Sequence, residues 1–152
     1  MYFNLSGFIN LEDGSTKEET IENFTLDLNN GEAAIIERGK FIFNKVSNNT
    51  MVKVLLDSTT DLFCDRCLDS FKYFESSEFY ASIIFNNIKQ KEVSKDEDGE
   101  LLIKTNVEQV DLSEIIRQHI ISIKPMKSLC KQECKGLCGV CGVNLNNSSC
   151  AC

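Results

Sequence analysis

The stretch DLSEIIRQHIISIKP at residues 111–125 has the pattern of an amphipathic helix. Asp111 and Glu114 fit a capping box at its start, and Pro125 ends it. Apolar side chains recur every three or four residues, which is the period of one helix face. They are Leu112, Ile115, Ile116, Ile120 and Ile123, with His119 in the same stripe. We predict a helix over about 112–124 that lies on an apolar surface, most simply the open face of a sheet.

The preceding part of the chain, about residues 1–104, has the pattern of β-strands. Phe24, Leu26 and Leu28 alternate with polar residues, and β-rich runs recur as far as Phe85. Turn signals separate these runs. They are Asp13-Gly14-Ser15, Asn29-Asn30-Gly31, Ser47-Asn48-Asn49-Thr50 and a possible turn at Arg38-Gly39. Two later runs, Phe71–Phe74 and Phe79–Phe85, read as separate strands, and the polar segment 89–100 reads as a solvated loop.

Repeated strands with short turns favour an antiparallel sheet or a partly open barrel. The predicted fold class is therefore α+β: this sheet or barrel, one amphipathic helix packed on it, and a Cys-rich, zinc-binding C-terminal segment. The length of 152 residues suits a single domain. It divides into a β-rich part at about 1–104, the helix at about 112–124 and a Cys-rich tail at 130–152.

Eight cysteines are the most informative residues of the chain. Two Cys-x-x-Cys pairs suit Zn²⁺, because a tight turn aims both sulfurs at one centre. Eight Cys ligands make two full Cys₄ sites, which are structural rather than catalytic. A single zinc site, an iron–sulfur cluster and a redox pair are the alternatives. The predicted ligands are Cys64, Cys67, Cys130, Cys134, Cys138, Cys141, Cys150 and Cys152.

The spacing leaves the grouping of these ligands open. The favoured grouping brings the two Cys-x-x-Cys turns together, so that Cys64, Cys67, Cys138 and Cys141 form one site. The other four cysteines then form the second site. The alternative combines Cys64 and Cys67 with Cys130 and Cys134, and leaves a local site in the tail. In a third version, Cys150 and Cys152 stay unbound and reactive, which leaves a single zinc.

The net charge of −7 argues against sequence-independent nucleic-acid binding. The charge is uneven, however: residues 1–114 carry 22 acids and 11 bases, whereas residues 115–152 carry one acid and five bases. These bases are candidate contacts to RNA or to a partner protein, although solvated lysines explain them equally well. They are Arg117, Lys124, Lys127, Lys131 and Lys135. His119 is expected to be a buried histidine with a hydrogen-bond partner rather than a catalytic group.

Three pieces of the sequence carry a family resemblance. Cys64-Asp-Arg-Cys67-Leu68 follows a predicted strand, VDLSEI at 110–115 opens the helix, and CKQECKGLCGVCGVNL at 130–145 follows Pro125. In content and order they resemble the YceD family of bacterial and plastid proteins, which is associated with the accumulation of 23S ribosomal RNA. The resemblance spans residues 64–152, and its most specific part begins at Cys134. Gly139 stands where the family often has proline, and glycine also permits this turn.

The resemblance implies a role in the synthesis, processing or stability of 23S rRNA, and so in assembly of the large ribosomal subunit. The expected protein is a non-enzymatic factor with one or two structural zinc ions. Its expected partner is a ribosomal protein, an rRNA-processing factor or a 23S rRNA precursor, with no small-molecule substrate. The chain has no apolar run of membrane-span or signal-peptide length, so we expect a cytoplasmic protein. The alternative is a metal- or redox-handling protein with labile thiols at Cys150 and Cys152.

Overall fold

The computed structural model describes residues 1–29, 31–47, 49–85, 92–95, 101–105 and 108–152. These residues form strands, one α-helix and a short 3-10 helix, followed by a tail of turns. The elements are β1 (Tyr2–Asn4), the 3-10 helix (Phe8–Asn10), β2 (Thr16–Asn29), β3 (Glu32–Val46), β4 (Asn49–Phe63), β5 (Ser70–Phe85), β6 (Glu92–Lys95), β7 (Leu101–Thr105), β8 (Gln109–Asp111) and α1 (Ser113–Ile123).

The main sheet has six strands in the order β2-β3-β4-β5-β7-β6. All neighbours are antiparallel except β5 and β7, which pair in parallel. A separate ribbon joins β1 to β8. Within the described residues the sheet has edges at β2 and β6 and does not close into a barrel. The mostly antiparallel sheet with one helix confirms the predicted fold class.

Apolar side chains on alternate residues of the sheet form the core. Phe41 and Phe43 on β3 and Val52 and Val54 on β4 are completely buried. Most of the predicted helix stripe lies in the same core, namely Leu112, Ile115, Ile116 and Ile120, whereas His119 and Ile123 are only partly buried. The predicted placement of the helix on the open face of the sheet is therefore confirmed.

The predicted turn at Arg38-Gly39 is wrong, because β3 runs straight through it. The register against β4 shifts by one residue between Ile36 and Arg38, which is a β-bulge at Glu37. Gly39 allows close packing between strands, since a Cβ there would lie 2.8 Å from Cγ1 of Ile21. The glycine thus marks a crowded site within a strand rather than a chain reversal.

Two other local predictions also change. The runs at 71–74 and 79–85 belong to one strand, β5. Part of the predicted loop 89–100 is the edge strand β6, and the rest lies outside the described residues. The predicted turns at 29–31 and 47–50 do join paired strands, although Asn30 and Asn48 lie outside the described residues.

The start of α1 differs from a reciprocal capping box. Asp111 ends β8 and accepts a hydrogen bond from the Ser113 amide at 2.9 Å, and from the Met1 amino group at 3.1 Å. Glu114 bonds Arg117 and Gln118 instead of turning back to the cap. The helix begins two residues after Asp111, so Glu114 lies too early in the first turn for the predicted box. No helix in the described part of the chain is long and apolar enough to cross a membrane.

The β4–β5 hairpin positions the cysteines. Its pairing continues to Phe63 and Ser70, whereas β3 stops pairing with β4 at Ala34 and Thr60. The hairpin therefore extends beyond its neighbour as an arm. The loop Cys64–Asp69 closes the end of this arm and carries the first Cys-x-x-Cys pair.

Candidate metal centres

Four cysteines meet at the end of the hairpin arm; we call Cys64, Cys67, Cys130 and Cys134 the inner cluster. All four sulfurs lie within 4.8 Å of one another. The Sγ atoms of Cys64 and Cys134 are 3.7 Å apart, as are those of Cys67 and Cys130. A tetrahedral zinc with Zn–S bonds of about 2.3 Å needs sulfurs about 3.8 Å apart. The inner cluster fits a four-coordinate metal of this size.

Backbone hydrogen bonds shape the hairpin loop around its two sulfurs. The Leu68 amide donates to the Cys64 carbonyl at 2.9 Å, and the Cys64 amide donates to the Asp69 carbonyl at 2.9 Å. The chain reverses at Leu68, which adopts a left-handed φ of 61°. This tight turn directs Cys64 and Cys67 to one point.

The tail is attached to this loop by reciprocal hydrogen bonds. The Asp65 amide donates to the Ser128 carbonyl at 2.8 Å, and the Ser128 amide donates to the Asp65 carboxylate at 2.7 Å. This contact lies two residues before Cys130. It therefore delivers the second half of the inner cluster to the hairpin.

Arg66 joins the same loop to the next part of the tail. Its guanidinium donates to the Cys134 carbonyl at 3.0 Å, and its own carbonyl accepts from the Leu137 amide at 3.1 Å. Gly136 has a φ of +73°, and a Cβ there would lie 3.0 Å from the Arg66 carbonyl oxygen. A side chain at position 136 would strain the backbone and crowd this contact.

The remaining cysteines gather in the tail; we call Cys138, Cys141, Cys150 and Cys152 the outer cluster. Sγ of Cys138 lies 3.3 Å from that of Cys150 and 3.6 Å from that of Cys152, and the Cys141–Cys150 separation is 3.5 Å. The Gly142 amide donates to the Cys138 carbonyl at 2.9 Å and closes the turn. This set also has the composition of a Cys₄ metal site, with two of its ligands exposed.

Two asparagines between the tail cysteines connect the clusters. Asn146, which follows Cys141 in sequence, donates to the sulfur of Cys134 at 3.3 Å and accepts from the Lys135 amide at 3.0 Å. Asn144 donates to the Asp69 carboxylate at 2.6 Å. The segment that forms the outer turn thus also supports the inner cluster. Asn144 lies within the motif at 130–145, but no local pattern assigns these bonds to either residue, because Asp69 and Cys134 lie in other turns.

Two neighbouring cysteines of the inner cluster, Cys64 and Cys67, have pKa values shifted in opposite directions. Burial raises the pKa of Cys64, but backbone amides that donate to its sulfur, first that of Cys130, lower the pKa to about 6. The Asp69 amide lowers the pKa of Cys67, but burial and the neighbouring thiols raise it to about 12. One thiol ionises readily, and its neighbour then resists a second negative charge. A bound divalent cation removes this conflict.

The outer cluster repeats this division. Backbone amides, first that of Cys141 and then that of Val140, lower the pKa of Cys138 to about 6. Hydrogen bonds with the neighbouring thiols, first that of Cys150, raise the pKa of Cys152 to about 11. Both clusters are therefore able to supply thiolate ligands to a metal.

The favoured sequence grouping is wrong, and the alternative grouping matches the structure. The Asp65–Ser128 contact brings Cys130 and Cys134 to the hairpin before the chain reaches the second Cys-x-x-Cys turn. That turn closes with Cys150 and Cys152 instead. The two Cys-x-x-Cys turns are similar, but they do not share a site. The path of the tail decides which sulfurs meet.

The candidate contact residues divide into two groups. Arg117 donates to Glu114 and to the Asp27 carbonyl, and Lys124 pairs with Glu32, so these two bases are held within the fold. The side chains of the other three candidates, Lys127, Lys131 and Lys135, are exposed, and none forms an ion pair with another described residue.

His119 lies between the helix and the sheet. It is half-buried, contacts the Ser77 hydroxyl at 3.0 Å and stacks on Phe79 at a ring separation of 4.1 Å. Burial lowers its pKa. These contacts account for the histidine as a packed residue with a polar partner. Both candidate metal clusters consist of cysteines alone.

Comparison with known proteins gives a match to a protein family. The family model described as "Large ribosomal RNA subunit accumulation protein YceD" matches residues 52–152, about two thirds of the chain. No curated protein and no solved structure matches the chain significantly. The matched range includes the hairpin arm, the helix and all eight cysteines. This chain therefore belongs to the YceD family.

Proposed function

We propose that this protein is a non-enzymatic factor that supports 23S rRNA synthesis, processing or accumulation, and so large-subunit assembly. The observation that carries the proposal is the family match over 52–152, whose name implies large ribosomal RNA accumulation. The proposal includes a cytoplasmic location and a single domain over residues 1–152. It assigns the protein no small-molecule substrate.

Structural zinc is the second part of the proposal. Each cluster offers four sulfurs, which leaves a tetrahedral metal no open position for water or substrate. Zinc suits an all-thiolate set, and the inner sulfur separations of 3.7 Å agree with its size. We assign one zinc to each cluster, with the role of fixing the tail to the hairpin arm.

The partner surface is proposed to include Lys127, Lys131 and Lys135, because their charges are exposed and unpaired among the described residues. We assign Arg117 and Lys124 a smaller part in this surface, since both have partners within the fold. When zinc is bound, the cysteines of the tail are negatively charged thiolates, and the positive charge of the zinc ions offsets only part of that charge. The net charge of the tail is therefore close to zero, which makes the tail a weak phosphate binder. A ribosomal protein or processing factor therefore suits this surface at least as well as the 23S rRNA precursor.

Depletion of the protein in its own host tests the rRNA role. The ratio of 23S to 16S rRNA should fall, and the wild-type protein should restore it. A variant with Lys127, Lys131 and Lys135 all changed to Ala should fold and bind zinc but restore the ratio poorly. Lys40→Ala removes a lysine on β3, outside the tail, that pairs with Glu18, and it is the control. An unchanged ratio on depletion under several growth conditions would contradict the proposed function.

A metal- or redox-handling role is the second candidate. It is favoured by the exposure of Cys141 and Cys152, which leaves two outer sulfurs open to solvent. Zinc-to-protein stoichiometry with thiol titration separates the two functions. Two firmly held zinc ions with no titratable thiol support the structural role, whereas zinc that exchanges freely from both clusters supports metal handling.

A further inference from the structure

The two clusters differ in how far protein shields their sulfurs. Three of the four inner cysteines, Cys64, Cys67 and Cys134, are 0%, 3% and 4% exposed, and Cys130 is half-buried, whereas none of the outer four is buried. Phe71, Leu129 and Leu137 pack around these inner cysteines. The outer cysteines belong to neither buried hydrophobic cluster of the described residues. Cys141 and Cys152 are exposed, and Cys138 and Cys150 are half-buried outside the core. A small polar oxidant can therefore reach the outer cluster without opening the core.

Two outer sulfurs are also closer together than a bound metal requires. Cys138 and Cys150 have Sγ atoms 3.3 Å apart, compared with 3.7 Å for two inner pairs, Cys64–Cys134 and Cys67–Cys130. A disulfide brings sulfurs to about 2.0 Å, so this pair needs the smallest movement. The inner pairs would have to move inside a packed site.

The backbone around Cys150 allows this movement. Cys138 is held by backbone bonds between its amide and Val143 and between its carbonyl and Gly142. In contrast, residues 149–152 form neither helix nor strand, and their backbone makes no bond to another backbone group in the described residues. Cys150 can approach a fixed Cys138 without breaking any sheet or turn hydrogen bond.

We propose that Cys138 and Cys150 are a peroxide-reactive pair that forms a disulfide and releases the outer metal, while the inner cluster keeps its own. This inference rests on the proposed function for the presence of zinc in both clusters. It adds a modification site and a form of regulation that the structural role does not contain.

The reaction is balanced with hydrogen peroxide as the oxidant. One thiolate attacks a peroxide oxygen, the O–O bond breaks, and a sulfenic acid and one water form after protonation. The other thiolate attacks the sulfenic sulfur and forms the S–S bond, and the displaced hydroxide leaves as a second water. Two thiolates are oxidised and one peroxide is reduced. The zinc leaves as Zn²⁺ because two of its four ligands are lost.

The inner cluster limits what this reaction changes. Asn144 remains bonded to Asp69, and Asn146 to Cys134, independently of the outer sulfurs. The tail therefore stays attached to the hairpin arm after oxidation, and only the outer turn is remodelled. Reduction of the disulfide and reloading of zinc restore the starting state.

The test uses the full-length, zinc-loaded protein and graded hydrogen peroxide. Released zinc is followed with a chelating dye, and disulfides are mapped by mass spectrometry of non-reduced digests. One of two zinc ions should leave at least about tenfold faster than the other, in step with a Cys138–Cys150 linkage. A disulfide that involves an inner cysteine, or simultaneous loss of both ions, would overturn the inference.

A variant and a control test the pair itself. Cys150→Ser should abolish the linkage and leave Cys138 to advance to sulfinic acid, a mass change that the digest detects. Ser149→Ala, at the exposed neighbouring position, should behave as the wild type. A disulfide from Cys138 to another cysteine at the wild-type rate would refute the pairing. If the protein contains no zinc, the metal assignment in the proposed function fails, and disulfide mapping alone still decides between the inner and outer cysteines.

Discussion

The sheet-and-helix body and the cysteine region of this protein are held together by different forces. The body buries a continuous apolar core from β1 to α1, with Phe41, Phe43 and Ile115 fully shielded from water. The region formed by loop 64–69 and the tail from residue 128 buries three cysteines, with a few partly buried apolar neighbours. Hydrophobic burial offsets the loss of chain entropy in the body. The cysteine region buries few apolar side chains, so we propose that metal bound by its cysteines supplies the missing stability.

Metal removal is expected to separate the two regions most strongly, because it should destabilise the cysteine region and leave the body folded. Structural zinc contributes about 10–16 kcal/mol in small metal-folded peptides. Chelation at neutral pH should therefore lower amide-exchange protection of residues 128–148 by roughly 10³-fold or more, while protection in β3 and β4 persists. The measurement is hydrogen exchange with mass spectrometry after metal loss is verified. Unchanged protection of the tail would remove the basis of the comparison.

A core substitution should produce the opposite result. Ile116 is completely buried against the sheet, so Ile116→Ala should lower the free energy of unfolding by about 2–5 kcal/mol. Zinc stoichiometry should stay at the wild-type value, because neither cluster contacts this side chain. Ile121→Ala, where 46% of the side chain is exposed, is the control and should cost less than about 1 kcal/mol. Loss of zinc from the Ile116 variant while it is still folded would mean that the two regions are not separate.

Asn146 gives a smaller and more local test. Its side chain donates to the Cys134 sulfur at 3.3 Å, and Asn146→Ala removes that bond and the acceptor of the Lys135 amide. Outer-shell partners of metal ligands typically contribute 10–100-fold in affinity, so inner-cluster zinc affinity should fall by about that factor. Asn147→Ala removes only an exposed side chain and should leave the affinity unchanged. Competition with a zinc chelator measures both variants.

The smallest effect concerns the pH dependence of the body. Burial lowers the pKa of His119, so the unfolded chain binds its proton more readily than the folded protein does. Stability should therefore rise with pH as the histidine loses its proton, and fall as pH decreases below about 6.5. The midpoint of urea unfolding at pH 5 and pH 8 measures this slope. His119→Gln should flatten it, and an identical slope in the variant would assign the dependence to other groups.

Patterns within single elements were enough to predict most of the body. The alternation through Phe24, Leu26 and Leu28 is that of a half-buried strand, and most of the stripe of α1 is buried as its period indicates. Local interpretation failed where a neighbouring element decides the outcome. The turn predicted at Gly39 was wrong because the sequence does not show that Ile21 of the neighbouring strand packs closely against this glycine. The parallel pairing of β5 with β7 joins strands that are not consecutive, which local periodicity cannot specify.

The same distinction applies to the candidate metal centres. The Cys-x-x-Cys spacing identifies residues able to bind metal, because it depends only on a local turn. The grouping depends on the contact between Asp65 and Ser128, which are 63 residues apart in the chain. The asparagines that support the sulfurs were also missed, since an Asn-rich tail has no distinctive spacing. Long-range contacts thus decide which ligands share a site.

The separation of the inner-cluster cysteines along the chain has a consequence for synthesis. Cys67 meets Cys130 across 63 residues, and Cys64 meets Cys134 across 70. At about 5–20 residues per second, the first pair of thiols waits roughly 3 to 13 s before the second pair is made. During that interval the hairpin carries two unsatisfied ligands, open to early metal capture or to oxidation. The nascent chain is therefore most vulnerable well before the ribosome has finished it.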